Sequence, residues 1–307
     1  MKVFSKFRPT PLNTQRVALM LCTLALGATA TAQTVPPGKL PFGVYDPNGD
    51  FSELEGVSIE HLFLPWEDVL LPSLFEAEAY AKERNRSLLV TIEPWTWSRD
   101  ERNSPNVLRE GIENGIYDAT MQNVCSALGQ LDIPMTIRWA QEMEDPSGQF
   151  IWSNWEPEDY ISAFRRMNEI CRSNAPSARY MWSPLGYENL ADYYPGDDVV
   201  DVVGLSVFSF EPWEEAILER SQSFEDIFSP RYARAVTLGK PIMIAELGFS
   251  GDADHVAQWN ADIRTMSASY PELEAVVYFA QKEVYPWPDG FGYPNWRQTA
   301  HILPDAR

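Results

Sequence analysis

The sequence predicts a single α/β domain closed as a (β/α)8 TIM barrel, and three observations lead there. From residue 41 onward, short apolar, β-branched or aromatic runs alternate with longer amphipathic ones, the pattern of parallel βαβ units. The short runs are eight in number, which is what barrel closure requires. No repeat, low-complexity tract or linker divides residues 33–307, a length that suits one α/β barrel. The alternative is an open doubly wound sheet, which would carry a glycine-rich phosphate loop after its first strand. The sequence has none there.

The strands are expected at Phe42–Tyr45, Ile59–Pro65, Ser87–Glu93, Pro134–Glu142, Ala178–Ser183, Val199–Phe208, Pro241–Glu246 and Ala275–Ala280. Between them, Leu71–Arg86, Ile116–Leu131, Pro157–Ser173, Phe224–Leu238 and His255–Ser269 place apolar residues at three- and four-residue spacing, the signature of helices with one buried stripe. Pro157 after Glu156 marks a helix start, because proline's missing N–H costs nothing in a first turn. Gly239 marks a stop. The first unit has no convincing helix and the last only a remnant.

Ahead of the barrel, Lys2, Lys6, Arg8 and Arg16 stand without an acid, followed by the apolar run Val17–Gly27 and small residues ending at Ala30-Thr31-Ala32. This reads as a secretory signal peptide over residues 1–32. The apolar run is about 11 residues, short of the ~20 that a spanning helix needs. Residues 33–307 are then the catalytic domain, secreted or periplasmic. Two cysteines remain in it, Cys125 and Cys171, each near the end of a helical segment. An oxidising compartment permits a disulfide between them, but their alignment is not readable from sequence.

The whole chain carries a formal charge of −20. Loss of the four basic leader residues leaves 20 basic side chains against 44 acidic ones. Such a surface repels nucleic acid and anionic membrane and favours a neutral or cationic ligand. It also simply keeps a secreted protein soluble. No nucleic-acid partner, no membrane association after cleavage and a monomeric state are expected.

Two glutamates carry the chemical argument. Glu142 and Glu246 each end a hydrophobic run, Pro134-Met-Thr-Ile-Arg-Trp-Ala-Gln-Glu142 and Pro241-Ile-Met-Ile-Ala-Glu246, on the fourth and seventh expected strands. In such barrels, chemistry collects where the strands' carboxyl ends meet the βα loops. Alternation of faces predicts that Arg138, Ala140 and Glu142 point one way, and that Ile242, Ile244 and Glu246 share a face. If those faces are inward, both carboxylates enter one pocket. A carboxylate pair at a barrel mouth suits glycoside hydrolysis, in which one protonates the leaving oxygen and the other attacks the anomeric carbon. Spacing does not decide which does which.

Aromatic residues beside the strand ends suit a sugar groove, since pyranose faces are apolar. Trp66, Trp95, Trp97, Trp152, Trp155, Trp213 and Trp287 fall after expected strands or in loops on one side, although barrel plugs and loop packing account for about half of such residues. Trp139 is assigned to the barrel–helix interface, Trp259 to a helix core, and Trp182 to the site floor if its register faces inward. Glu93 is either a substrate-binding carboxylate or a partner for Arg138. Asp46, Asn48 and Asp50 have the spacing of a calcium loop but lack its sixth-position glycine and twelfth-position glutamate, so a turn is expected. His61, His255 and His301 show no ligand spacing. Neither metal nor cofactor is expected. The Asp197-Asp198 pair reads as a solvated loop or cap.

Three runs in order, Ile137-Arg-Trp-Ala-Gln-Glu142-Met, Tyr193-Tyr-Pro-Gly-Asp-Asp-Val-Val-Asp-Val-Val-Gly204 and Gly239-Lys-Pro-Ile-Met-Ile-Ala-Glu246-Leu-Gly, resemble glycoside hydrolase family 26. The likeness covers roughly residues 41–300. It implies a retaining barrel hydrolase with Glu142 as general acid/base and Glu246 as nucleophile, acting on β-1,4-mannan, mixed-linkage β-glucan or β-1,3-xylan. The chain departs from the mannanase pattern: Gln141 and Glu144 flank Glu142 where histidine and asparagine are usual, and Ser206 and Phe208 replace the sixth strand's aspartate and tyrosine. Gln141 and Phe208 thereby join Glu93 and the tryptophans as candidate substrate contacts.

The expectation is a secreted retaining endo-β-glycanase acting without cofactor on a neutral β-linked polysaccharide, either a mixed-linkage or β-1,4-glucan or a β-mannan. The alternative is a non-catalytic carbohydrate-binding or exopolysaccharide-export accessory protein on the same fold.

Overall fold

The computed structural model describes residues 40–96, 104–265 and 268–297. Eight parallel strands close in chain order: β1 Phe42–Tyr45, β2 Val57–Pro65, β3 Ser87–Glu93, β4 Met135–Trp139, β5 Arg179–Trp182, β6 Val202–Phe210, β7 Ile242–Ser250 and β8 Leu273–Phe279. Around them lie α1 Ser73–Glu83, α2 Pro105–Glu113, α3 Asp118–Leu128, α4 Pro157–Asn174, α5 Glu211–Leu218, α6 Phe224–Ala235 and α7 Ala253–Thr265. The expected (β/α)8 barrel is therefore the observed fold. The expected leader, Trp97 and His301 lie outside the described residues.

Period-2 alternation divides the strand residues between two layers. Ile59, Leu89, Met181, Val202, Met243, Ala245, Ala275 and Val277 form a cluster inside the barrel. Their neighbours in sequence, such as Leu88, Val90, Val203, Ile242 and Ile244, join the larger core beneath the helices. Gly204 belongs to the tight interior, because a Cβ there would stand 2.3 Å from the Met181 sulfur.

The helix ends follow the sequence signals. Pro157 opens α4 behind Glu156, and Gly239 closes the 3-10 turn Val236–Leu238 after α6 at φ +67°. Ser223 and Asp226 form a capping box on α6, each satisfying an otherwise orphaned amide. The short helices α2 and α5 were not legible as separate periodic stretches. Cys125 on α3 and Cys171 on α4 are joined as a disulfide with Cα atoms 5.1 Å apart. Among the described residues, no helix is long and apolar enough to cross a membrane.

Two expected strand ends are corrected, and both corrections bear on the glutamates. β4 stops at Trp139 because Ala140 takes φ +47°, so Glu142 lies three residues beyond the strand. β7 is interrupted by a bulge: Leu205 pairs with Ile244, but Ser206 pairs with Glu246. Met243 and Ala245 are therefore interior, Ile242 and Ile244 face the helices, and the expectation that Glu246 shares their face is overturned. The extra residue turns Glu246 inward after Ala245.

Candidate active site

Arg138 is the centre from which the site is built. It leaves β4 into the barrel, fully buried, and its guanidinium finds four acceptors. Nε donates to Ser183 Oγ at 2.8 Å, Nη1 to Thr91 Oγ1 at 3.4 Å and to Glu246 Oε1 at 2.5 Å, and Nη2 to Ser206 Oγ at 3.2 Å. A buried cation is costly unless its donors are satisfied, and here strands β3, β6 and β7 and the residue just after β5 each supply an oxygen. His61 packs beside it with Nε2 2.8 Å from Thr91 Oγ1. Burial and the nearby Arg138 charge push the His61 pKa well down, so the imidazole stays neutral.

Glu142 is carried on a backbone that no strand would provide. Ala140 and Glu142 adopt φ of +47° and +59°, a left-handed conformation that costs non-glycine residues and persists only where neighbours over-determine it. The neighbours are specific. Ala140 N donates to Ile92 O and Glu142 N to Ser183 O. The Ala140 carbonyl accepts from Tyr160 OH at 3.0 Å, the Gln141 carbonyl from Trp152 Nε1 at 2.7 Å, and the Met143 carbonyl from Asn154 N at 2.8 Å. Five hydrogen bonds thus fix the segment that aims Glu142.

The environment separates the two carboxylates. Glu142 is pushed up to about 8, first by burial and then by the charge of Glu246, against the opposing pull of Arg138 and a hydrogen bond from Ser206. Burial also raises Glu246, but its counter-influences are the direct Arg138 charge and hydrogen bond. The ion pair holds the charge on Glu246, and like-charge repulsion keeps the proton on Glu142.

Glu93 is a third carboxylate in the same mouth. It does not reach Arg138; instead Oε1 accepts from Gln141 Nε2 at 3.0 Å and Oε2 from Trp95 Nε1 at 3.1 Å. Burial pushes it up to about 7, with those two donors opposing and Glu246 adding to the rise. Gln141 is turned toward Glu93 and buried, so the amide beside the acid/base candidate organises a neighbouring carboxylate. Ser206 serves both Arg138 and Glu142, and Phe208, partly buried, packs on Phe279 and Trp296.

The open groove expected from the tryptophans is corrected for four of them. Trp66 is buried, stacks on Tyr117 and donates Nε1 to Trp95 O. Trp152 is wholly buried as the pin on Gln141, and Trp155 is closed off with Nε1 on Ile151 O. Trp95 is buried between Trp152 and Tyr285 and spends its N–H on Glu93. Large amphipathic rings bury well where an acceptor is in reach of the N–H, a backbone carbonyl for three of these and the Glu93 carboxylate for Trp95, and all four hold loops. Trp213 and Trp287 remain partly exposed and meet edge to face, with Trp213 Nε1 on Asp289 Oδ2 at 2.8 Å. Trp182 faces outward against Tyr194 and not toward the site floor. Trp139 packs on Tyr160 and Phe164 of α4, and Trp259 on Phe249 and Phe224, as expected.

Sequence reasoning missed Tyr45, at the end of β1. Burial raises its pKa, with Glu93, Glu246 and Glu283 adding to the rise, so the phenol stays protonated and faces the carboxylates. Strand-end position was the available signal; an isolated tyrosine on a four-residue strand gave no more. Tyr285, stacked on Trp95 in the loop after β8, was also missed, because that loop has no periodicity. The discounted groups prove structural. Asp46 closes its turn through Phe51 N, Asp198 pairs with Arg165, and His255 meets Ser209 Oγ at 3.0 Å. Among the described residues, no group of three or more potential metal ligands is found.

Fold and site together define the class: a (β/α)8 barrel carrying one carboxylate in the loop just after its fourth strand and a second within its seventh. Comparison with known proteins finds this same fold in enzymes of glycoside hydrolase family 26. A family 26 β-mannanase from Bacteroides ovatus superposes with a TM-score of 0.60 at 17% identity, covering 79% of this chain and 81% of that one. A modular endo-β-1,4-mannanase from Cellulomonas fimi gives 0.64 at 17% identity, over 88% and 69%. Endoglucanase H from Acetivibrio thermocellus is 25% identical over 260 residues, 77% of this chain and 26% of its own length. A β-1,3-xylanase, TXYA, from Vibrio sp is 33% identical over 107 residues, 33% of this chain and 22% of its own length. The chain thus spans about a quarter of the length of the curated relatives it matches. No family model matches it.

Proposed function

We propose that the protein is a secreted, retaining endo-β-glycanase in which Glu142 is the general acid/base and Glu246 the nucleophile. The observation that carries this reading is the unequal treatment of two carboxylates in one mouth. Glu246 is ion-paired to Arg138 at 2.5 Å, while Glu142 has no such partner among the described residues and is pushed up to about 8. At neutral pH one is an acid and the other an anion, the division of labour that glycosidic cleavage needs.

In the first step, Glu142 gives its proton to the glycosidic oxygen as Glu246 attacks the anomeric carbon. The bond to the leaving sugar breaks, and a glycosyl ester of Glu246 forms. Esterification removes the Glu246 charge, which is one of the causes holding Glu142 up. Glu142 becomes more acidic and is left as a carboxylate able to take a proton from water. That water attacks the same carbon from the vacated side, freeing Glu246 and restoring the proton on Glu142 with net retention. Arg138 stays bonded to Glu246 throughout and offsets its returning charge.

Similarity to an endoglucanase over most of the chain and the departures at Gln141, Glu144, Ser206 and Phe208 favour a neutral β-glucan, mixed-linkage or β-1,4, over β-mannan. The Cys125–Cys171 disulfide supports an oxidising compartment. A panel of barley-type mixed glucan, carboxymethyl cellulose, glucomannan, galactomannan and β-1,3-xylan, read by reducing ends and by NMR of the first-formed anomer, tests substrate and stereochemistry together. Glu142→Gln and Glu246→Gln are each expected to cut turnover on the responsive polymer by about 10^3-fold or more with folding intact. Near-native turnover in either variant would sink the proposal.

A further inference from the structure

Resting on the hydrolase reading above, we infer that Tyr187 is the platform of the leaving-group subsite, where the sugar released in the first step stacks before departure. The subsite takes a β-linked pyranose and is assembled by Glu144 and Arg231.

The argument begins with Glu144, buried two residues beyond Glu142. Its Oε1 accepts from Gly186 N at 2.7 Å and Tyr187 N at 3.4 Å, and the Leu185 amide also supports the carboxylate. Consecutive amides turned on one carboxylate form a latch, and it ties the loop after β5 to the segment that carries the acid/base. Gly186 is required there: it sits at φ +86°, and a Cβ would meet the Arg231 Cβ at 2.8 Å. The next residue is therefore delivered to one place.

At that place Tyr187 is 38% exposed, a large ring left open on a rigid loop. The carboxylates that raise its pKa, after burial itself, are Glu142, Asp145 and Glu144. Trp95, stacked on Tyr285, follows β3 and Tyr187 follows β5, the two strands that flank β4 on opposite sides. The leaving oxygen takes its proton from Glu142, so the departing sugar belongs on the Glu142 side, with Tyr187. The Arg231 guanidinium, 5.6 Å from the Tyr187 ring centroid, donates Nη1 to Ser206 O at 2.7 Å. Among the described residues it has no carboxylate within ion-pairing distance. Its remaining donors suit the hydroxyl oxygens of a sugar lying on the ring.

The test separates the leaving-group side from the rest of the site by using the oligosaccharyl fluoride of the responsive glycan, whose leaving group is fluoride and fills no sugar subsite. Tyr187→Ala is expected to lower kcat/KM on the polysaccharide by about tenfold, the scale of one aromatic stacking contact, and to leave kcat/KM on the fluoride unchanged. Tyr187→Phe, which keeps the ring, is expected to restore the polysaccharide activity and guards against a folding artefact. Equal losses on both substrates, or no loss on either, would overturn the subsite. A wild-type enzyme inert on both would overturn the hydrolase reading itself, and the subsite with it.

Discussion

At the scale of single residues, the site works by giving three neighbouring carboxylates different surroundings. Glu246 has a cation, Glu142 has an anion for a neighbour, and Glu93 has two neutral donors. If Glu142 is the acid, cleavage needs its proton, so kcat on polysaccharide is expected to fall as pH rises through about 8. The measurement is a pH–rate profile, and the alkaline limb should vanish for the fluoride, which needs no proton at departure. Glu93 makes a separate prediction about stability. Its folded pKa, about 7, is raised above the ordinary carboxylate value, so between roughly 4.5 and 7 the folded state holds the proton more tightly than the unfolded chain. Stability is therefore lost as pH rises through that window. Glu93→Gln cannot ionise and is expected to gain a few degrees in Tm, relative to wild type, on moving from pH 5 to pH 8. Parallel Tm–pH curves for the two proteins would contradict this.

Among the elements, the loop after β4 and the bulge in β7 do most to make the site. The loop stores left-handed backbone at Ala140 and Glu142 under hydrogen bonds from Tyr160, Trp152 and Asn154. Trp152→Phe keeps an aromatic side chain but shrinks it and removes the N–H on Gln141 O. It is expected to cost about 2–3 kcal/mol of stability, the lost hydrogen bond plus the void left by the smaller ring, and, if Glu142 is the acid, to reduce turnover on polysaccharide more than on the fluoride, because the segment it pins aims Glu142. Behind the barrel, the disulfide staples α3 to α4 across a sequence separation of 46. Closing such a loop is worth on the order of 4 kcal/mol in the chain-entropy account. Replacing both cysteines by serine is expected to lower Tm by about 5–10 °C, read by thermal melts; reductant should do the same to wild type and nothing to the variant.

On the scale of the whole molecule, the chain is acidic, and Arg138 is the fully buried cation in its mouth among the described residues. The expected leader bears on where this molecule acts. If cleavage follows Ala32, the secreted protein begins at Gln33, which intact-mass and N-terminal sequencing of exported material will read directly. An N-terminus retained at Met1 in that material would contradict the assignment.

What the sequence by itself determined was the barrel and the two glutamates. Alternating apolar runs and amphipathic stretches are local consequences of burial on one face, so eight strands and most helices were legible. Both carboxylates stood out because each ends an apolar run. What only the tertiary structure decided was how they point and who surrounds them. Strict alternation put Glu246 beside Ile242 and Ile244; a bulge, set by pairing with β6, turned it inward. Glu142 was read at the end of a strand; positive φ at Ala140, sustained by distant partners, took it out of one. Trp66, Trp152 and Trp155 sit near the mouth in sequence as Tyr187 does, yet only Tyr187 stays open. The reason is the same in each case. Periodicity records which side of an element is buried, whereas strain, hydrogen-bond partners and pKa depend on residues tens of positions away, brought together only when the barrel closes.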